Sequence, residues 1–201
     1  MQGCDERIQR LGSPQMRRPR REEKGGSPKG ITRPCMPKRK LPLRPNVCML
    51  VYNSRGQLFL GERLRNKGHW QFPQGGAEPA CSLRENVVRE LKEELGIPRR
   101  TIGRIRKLKA KHKYDWEKIP SYAKGKWRGQ SQTFWMVEYR GKCSEIDLDA
   151  HEEPEFRRWR WASVSMVRKL AQPRRLVGYE AALKEFQAMK PERRTARRKP
   201  K

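Results

Sequence analysis

The chain has 201 residues, 35% of them charged and 34% hydrophobic, and a formal charge of +27; that length holds one domain with a real core plus tails and is too short for two ordinary domains. Residues 1–45 carry 13 Lys and Arg against 4 acids, and residues 190–201 carry 7 against 1, a bias that favours polyanionic partners, nucleic acid first, and says nothing about fold. Five scattered cysteines without a CxxC pair argue against a disulfide framework and a zinc site, and no apolar run is long enough to span a membrane.

Taken in chain order, the first 43 residues mix Arg17, Arg18, Arg20 and Arg21 with Pro, Gly and Ser, like an organelle presequence. Asp5, Glu6, Glu22 and Glu23 interrupt the charge, however, and no amphipathic apolar stripe is present. The reading is a disordered basic arm over 1–43 in a protein of a reducing compartment, the cytoplasm, with an organelle matrix as the alternative if the arm is a presequence. A domain then runs over 44–189. Its order begins near Pro45, where prolines give way to the apolar strand Val47–Tyr52. Asn53–Gly56 supplies turn chemistry and Gln57–Gly61 a second apolar stretch, so the pair reads as a hairpin. Residues 68–81, rich in Gly and Pro, read as a loop. A helix opens at Ser82, with Glu85 completing a capping box, and stops at Gly96 and Pro98.

Beyond the helix, Ile102–Lys113 alternates apolar and basic residues and reads as a strand with one basic face. Tyr114–Gly129 is irregular and mixes aromatics with lysines, while Gln132–Tyr139 and Phe156–Trp161 read as strands. Pro173 ends a short segment, Tyr179–Met189 forms a closing amphipathic helix through Ala182, Leu183 and Phe186, and 190–201 is a basic tail. The sum is an α+β domain with a central sheet flanked by helices. Trp135, Trp159 and Trp161 are assigned to the core, and His69, His112 and His151 receive no catalytic part.

The chemistry concentrates on the helix. Glu90, Glu93 and Glu94 stand at i, i+3 and i+4 and so share one stripe, while Val87, Val88, Leu91 and Leu95 form a neighbouring arc that anchors the helix to the core. Three crowded carboxylates repel unless a hard divalent cation with oxygen ligands relieves them. Beside them, Gln74, Gly75 and Gly76 let the backbone approach a ligand closely. Phosphate would then be gripped through Mg²⁺, with Arg and Lys on the other side.

Gly75 through Ile97, read as G-x13-R-E-L-x-E-E-x-G-I, resembles the Nudix box. The likeness extends over roughly residues 43–187: Arg44-Pro45-Asn46-Val47, Trp70 to Gly76, Gly129-Gln130-Ser131-Gln132, Pro154-Glu155-Phe156 and Trp159-Arg160-Trp161. It points to the branch of bacterial RNA 5′-pyrophosphohydrolases and dinucleoside polyphosphate hydrolases. That resemblance implies a Nudix-type α-β-α sandwich with a mixed central sheet. It implies Glu90, Glu93 and Glu94 as catalytic metal ligands, joined by the Gly75 carbonyl and Glu155, for Mg²⁺ with Mn²⁺ possible. Arg44 and Arg63 would hold phosphates, Tyr114 and Gln132 would face substrate, and Arg89 would be structural.

Two positions depart from the family pattern. Cys81 stands where the box has a Glu that pairs with Arg89, which leaves Glu85, four residues before Arg89, as a replacement partner and the loop less rigid. Arg174 or Arg175 occupies the region of a base-stacking aromatic, and arginine can stack as well. The substrate read from charge is RNA with a 5′-triphosphate or diphosphate, bound partly through the basic tails and the 104–128 region. The alternatives are a dinucleoside polyphosphate such as diadenosine tetraphosphate, and a Nudix-fold protein that binds RNA or nucleotide without cleaving it. Oligomeric state is not read from the sequence.

Overall fold

The computed structural model describes residues 40–189. The C-terminal tail and all but the last four residues of the N-terminal arm lie outside them. Seven strands form, β1 (Leu43–Tyr52), β2 (Leu58–Arg63), β3 (Trp70–Gln71), β4 (Gln74–Gly76), β5 (Ile102–Asp115), β6 (Gly129–Tyr139) and β7 (Phe156–Ala162), with helices α1 (Leu83–Leu95), α2 (Val164–Leu170) and α3 (Pro173–Met189). The sheet is mixed, of order β3-β2-β1-β6-β5, with β4 paired to β1 and β7 to β2.

From Val47 onward β1 is buried at every position, the pattern of a strand covered on both faces. It runs parallel to β6 from Leu43 opposite Gly129 to Tyr52 opposite Glu138. Because strand side chains alternate faces, Val47, Met49 and Val51 enter one core and Cys48, Leu50 and Tyr52 the other. α1 closes the first core with Val87, Leu91 and Leu95, and α2 and α3 close the second with Val167, Tyr179, Ala182, Leu183 and Phe186. The α-β-α sandwich follows from that split.

The helix boundaries are local chemistry. Ser82 accepts the Glu85 N–H at 3.2 Å while the Glu85 carboxylate accepts the Ser82 N–H at 2.7 Å. At the other end Gly96 takes φ +61°, and a Cβ there would lie 2.6 Å from the Asp147 carbonyl oxygen.

Four elements differ from the sequence reading. The stretch 68–81 is not all loop: β3 pairs with β2, and β4 sets Asn46 opposite Gly76. β1 and β2 meet as a hairpin only at Tyr52 and Leu58, because the edge of β1 that a longer hairpin needs is taken by the Met49 N–H bond to the Pro73 carbonyl and by β4. β2 pairs instead along its length with β7. Pro173 does not end a segment but opens α3, where its missing N–H would have had no helical partner anyway. Tyr114, Asp115 and Gly129, read as irregular, extend β5 and β6. Among the described residues no helix is long and apolar enough to cross a membrane.

One buried acid ties the sheet's far side together. Glu62 of β2 is fully buried and accepts the Gly68 N–H and the Arg158 guanidinium, each at 2.5 Å. The Gly68 N–H, then Arg158, hold its carboxyl below the usual range against the effect of burial. A depressed carboxyl stabilises the fold above its unfolded pKa and loses that contribution as pH falls through its folded value. Glu62→Gln is therefore expected to melt earlier than the parent at neutral pH, with the gap closing in acid. Melting curves across the acid range check this, and a gap independent of pH would rule it out.

Candidate active site

α1 carries Glu90, Glu93 and Glu94 against the strand β4, and the strand is built to receive them. A Cβ on Gly75 would lie 1.8 Å from the Glu90 carboxyl carbon, so only glycine lets that carboxylate rest on the backbone. A Cβ on Gly76 would lie 2.0 Å from Arg44 Nη2. Two adjacent glycines thus seat an acid and a base side by side.

Glu94 accepts the Gln74 N–H at 3.1 Å. Its carboxyl is pushed well above the ordinary range by burial first, then by the charges of Glu155 and Glu90. Glu90 is raised as well, by burial and by Glu93, against the lowering effect of Arg89. Glu155 precedes β7 and is gripped by Arg63, at the end of β2, at 3.1 Å and by Gln71 at 3.3 Å. Anionic charge is therefore crowded where water is scarce, and carboxylate oxygens with the Gly75 carbonyl are the donor set that suits a hard divalent cation. Among the described residues no three His, Cys, Asp or Glu side chains converge closely enough to hold an ion as placed. Instead Arg89 donates to Glu90 and to Glu93 at 2.8 Å each, and Arg63 holds Glu155.

Arg89 also donates to the Gly76 carbonyl at 2.9 Å and to Asn86 Oδ1 at 3.0 Å. Glu85 is not its partner, being consumed by the capping box. The acid that reaches Arg89 from the loop is Glu78, at 3.6 Å, three residues before Cys81. Asn86, fully buried, stiffens that loop: it accepts the Glu78 N–H and donates to the carbonyls of Glu78, Cys81 and Ser82. The missing box glutamate is thus offset by Glu78 and Asn86, neither of which the sequence reading had singled out.

The Arg44 guanidinium packs on the rings of Tyr122 and Trp127, at 5.1 and 5.6 Å from their centroids. On the α3 side a cavity of about 320 Å³ is lined by His112, Tyr114, Trp116, Gln132, Arg174 and Arg175. Arg175 donates to the Tyr114 hydroxyl at 3.1 Å and to Gln74 Oε1 at 3.0 Å, and Gln132 donates to the same Gln74 oxygen at 2.7 Å. Gln74 therefore joins two regions, its side chain at the cavity and its N–H on Glu94. His112 stacks on Tyr114 at 5.3 Å, and burial first, then Arg175, lowers its pKa and favours the neutral ring.

Of the residues expected at the site, Gly75, Glu90, Glu93, Glu94, Glu155, Arg44 and Arg63 gather around the acids, while Tyr114 and Gln132 line the cavity. Gln132 is almost fully buried, held to Asn46 and Gln74. Sequence reasoning assigned no role to Gln74's side chain, Asn86, His112, Tyr122 or Trp127. Only Gln74 carried a signal, its place in the Gln74-Gly75-Gly76 run.

Residues 42–182 match the family model described as the NUDIX domain. An RNA pyrophosphohydrolase of Novosphingobium aromaticivorans is 35% identical over 150 residues, covering 73% of this chain and 93% of the relative. One of Rickettsia canadensis is 34% identical over 152 residues, covering 74% and 92%. Among solved structures, a Caenorhabditis elegans Ap4A hydrolase in binary complex superposes with a TM-score of 0.53 at 19% identity, covering 72% of this chain and 96% of its own. That likeness is one of fold.

Two substitutions test how the site is held. Gly75→Ala is expected to displace the Glu90 carboxylate and weaken Mn²⁺ binding by about tenfold or more in calorimetric titration; unchanged affinity would show that Glu90 does not need this seat. Asn86→Ala removes the four hydrogen bonds by which this buried side chain holds the 78–82 loop and is expected to lower stability by roughly 2 kcal/mol in urea unfolding. A loss near zero would mean the loop is held by something else.

Proposed function

The chain belongs to the NUDIX family and hydrolyses nucleotide phosphoanhydride bonds, and on that premise we propose that it removes pyrophosphate or phosphate from the 5′ end of triphosphorylated or diphosphorylated RNA. The observation that carries the reading is the pairing of neighbouring acids, the buried Glu90 with the half-buried Glu94 and Glu155, with an arginine-lined cavity joined to them through Gln74. Choice of RNA is supported by relatives named RNA pyrophosphohydrolase at about a third identity over nine-tenths of their own length.

Glu90, Glu93, Glu94, Glu155 and the Gly75 carbonyl would hold the divalent ion, Mg²⁺ or Mn²⁺, which supplies Lewis acidity toward the phosphate oxygens and the attacking water. The chain's own contribution is position and charge. Arg44, packed on two aromatic rings, is positioned before substrate arrives. Arg63 has a buried Nε without a hydrogen-bond partner among the described residues, an N–H that a phosphate oxygen would satisfy. In the cavity, Tyr114, the neutral ring of His112 and the Arg175 guanidinium present flat surfaces and donors suited to the terminal base. The basic tails, outside the described residues, would add nonspecific affinity for the RNA backbone. Cys48, Cys81 and Cys143 are free thiols, which fits a reducing compartment such as the cytoplasm.

Turnover of triphosphorylated RNA, diadenosine tetraphosphate and nucleoside triphosphates, compared side by side with Mg²⁺, tests the reading; RNA is expected to give the highest kcat/KM. Glu93→Gln and Glu94→Gln are each expected to lower kcat by about a hundredfold or more. Parent-like rates in those variants would remove the acidic cluster from the mechanism, and a preference for the dinucleotide would replace RNA as substrate.

A further inference from the structure

β5 is the edge strand of the sheet, and its C-terminal half has two distinct faces. Ala110, His112 and Tyr114 turn toward α3 and the cavity, while Lys111 and Lys113 are exposed on the opposite face; Lys109, also exposed, lies within a register shift, where its N–H donates to the Glu185 carboxylate at 2.9 Å. Register across the sheet places Lys107 opposite Trp135, Lys111 opposite Thr133 and Lys113 opposite Ser131. The Lys107 ammonium sits 5.9 Å from the centre of the Trp135 ring. Arg84 of α1 extends the positive charge by donating to the Ile105 carbonyl at 3.1 Å. None of the four lysines forms an ion pair among the described residues, and the acid at the end of the strand, Asp115, is taken by Arg128.

This row ends in a groove of about 480 Å³ whose walls include Pro45, Asn46, Leu83, Lys113, Ser131 and Thr133. The groove abuts the acidic site: Pro45 accepts the Ala77 N–H at 3.0 Å, and Asn46 lies opposite Gly76, the residue beneath Arg44. A lysine or two would be enough to deter edge-to-edge strand pairing. Here four are exposed along one strand: Lys111 and Lys113 stand at alternate positions about 6.6 Å apart, on the scale of one nucleotide, and Lys109 and Lys107 follow across a register shift, with Ser131, Thr133 and the Trp135 ring on the neighbouring strand.

We propose that the groove and the Lys107–Lys113 row form a track for the single-stranded RNA backbone that follows the 5′ end seated at the acids. The inference rests on the RNA reading of the site. The lysines neutralise successive phosphates without reading bases, so affinity grows with the length of RNA beyond the first nucleotides and falls steeply with salt.

The test compares K109Q/K111Q with K169Q/K184Q, which removes the same charge from α2 and α3. Substrates are a triphosphorylated RNA of about ten nucleotides and a triphosphorylated dinucleotide. K109Q/K111Q is expected to raise KM for the longer RNA several-fold and leave the dinucleotide's turnover unchanged. It should also reduce the logarithmic salt slope for binding the 5′-monophosphorylated RNA by about 1.4, as two lost phosphate contacts on a single strand predict. K169Q/K184Q should move neither quantity. An unchanged KM and slope in K109Q/K111Q, with the parent turning over RNA normally, overturns the track and leaves the substrate reading intact. A parent that cleaves diadenosine tetraphosphate but not RNA overturns both.

Discussion

The contact between the Glu90 carboxylate and the bare backbone of Gly75 governs the geometry of the site. It requires a helix face that can carry acids, a strand without a side chain, and a guanidinium close enough to offset the charge of a buried carboxylate. Arg89 supplies the last, and by donating to the Gly76 carbonyl it ties the helix to the strand as well. Burying charge is unfavourable unless it is paired and hydrogen-bonded. Here the pairing is only partial: Glu90 and Glu94 both remain shifted upward, with the charge of Glu155 adding to Glu94. A divalent cation bound there would offset both the burial of these carboxyls and the repulsion between them.

The sheet exists to hold this contact in place. β1 is paired parallel to β6 on one edge and, on the other, passes from β4 at its start to β2 at its end. Splitting that edge lets the short β4 reach under α1 while the longer β2 goes on to pair with β7 and to place Arg63 beside Glu155. Glu62 secures the same corner through Gly68 and Arg158. Residues distant in sequence therefore meet because two strands share one edge: Arg63 reaches Glu155 across the sheet, whereas helical spacing alone brings Arg89 to Glu93.

Gln74 and β5 extend the site outward. The Gln74 N–H holds Glu94 while its side-chain oxygen receives Gln132 and Arg175, so a group bound in the cavity and phosphates at the acids would be sensed by one residue. β5 divides its residues between the cavity and the solvent, aromatic on one face and cationic on the other. The same strand can thus serve recognition of a terminal base and of the chain that follows it.

Local chemistry was readable without coordinates: the capping box of Ser82 and Glu85, the Gly96 stop, the apolar strand Val47–Tyr52 and the stripe of Glu90, Glu93 and Glu94 depend on residues within a few positions of one another. Their spacing fixes them. What needed the tertiary structure was every relation set by strand pairing and close approach, because such contacts join residues whose separation in sequence carries no periodic signal. Pairing of β4 with β1, not the Gly and Pro content of 68–81, made that stretch into strand. Arg89 engages Glu90 and Glu93 at 2.8 Å, with Glu78 reaching it from the loop at 3.6 Å, and not Glu85, whose carboxylate the capping box holds. The packing of Tyr122 and Trp127 on Arg44 arises where the loop between β5 and β6 folds back, and the shared Gln74 where β4, α1, β6 and α3 meet, and only three-dimensional proximity decides that.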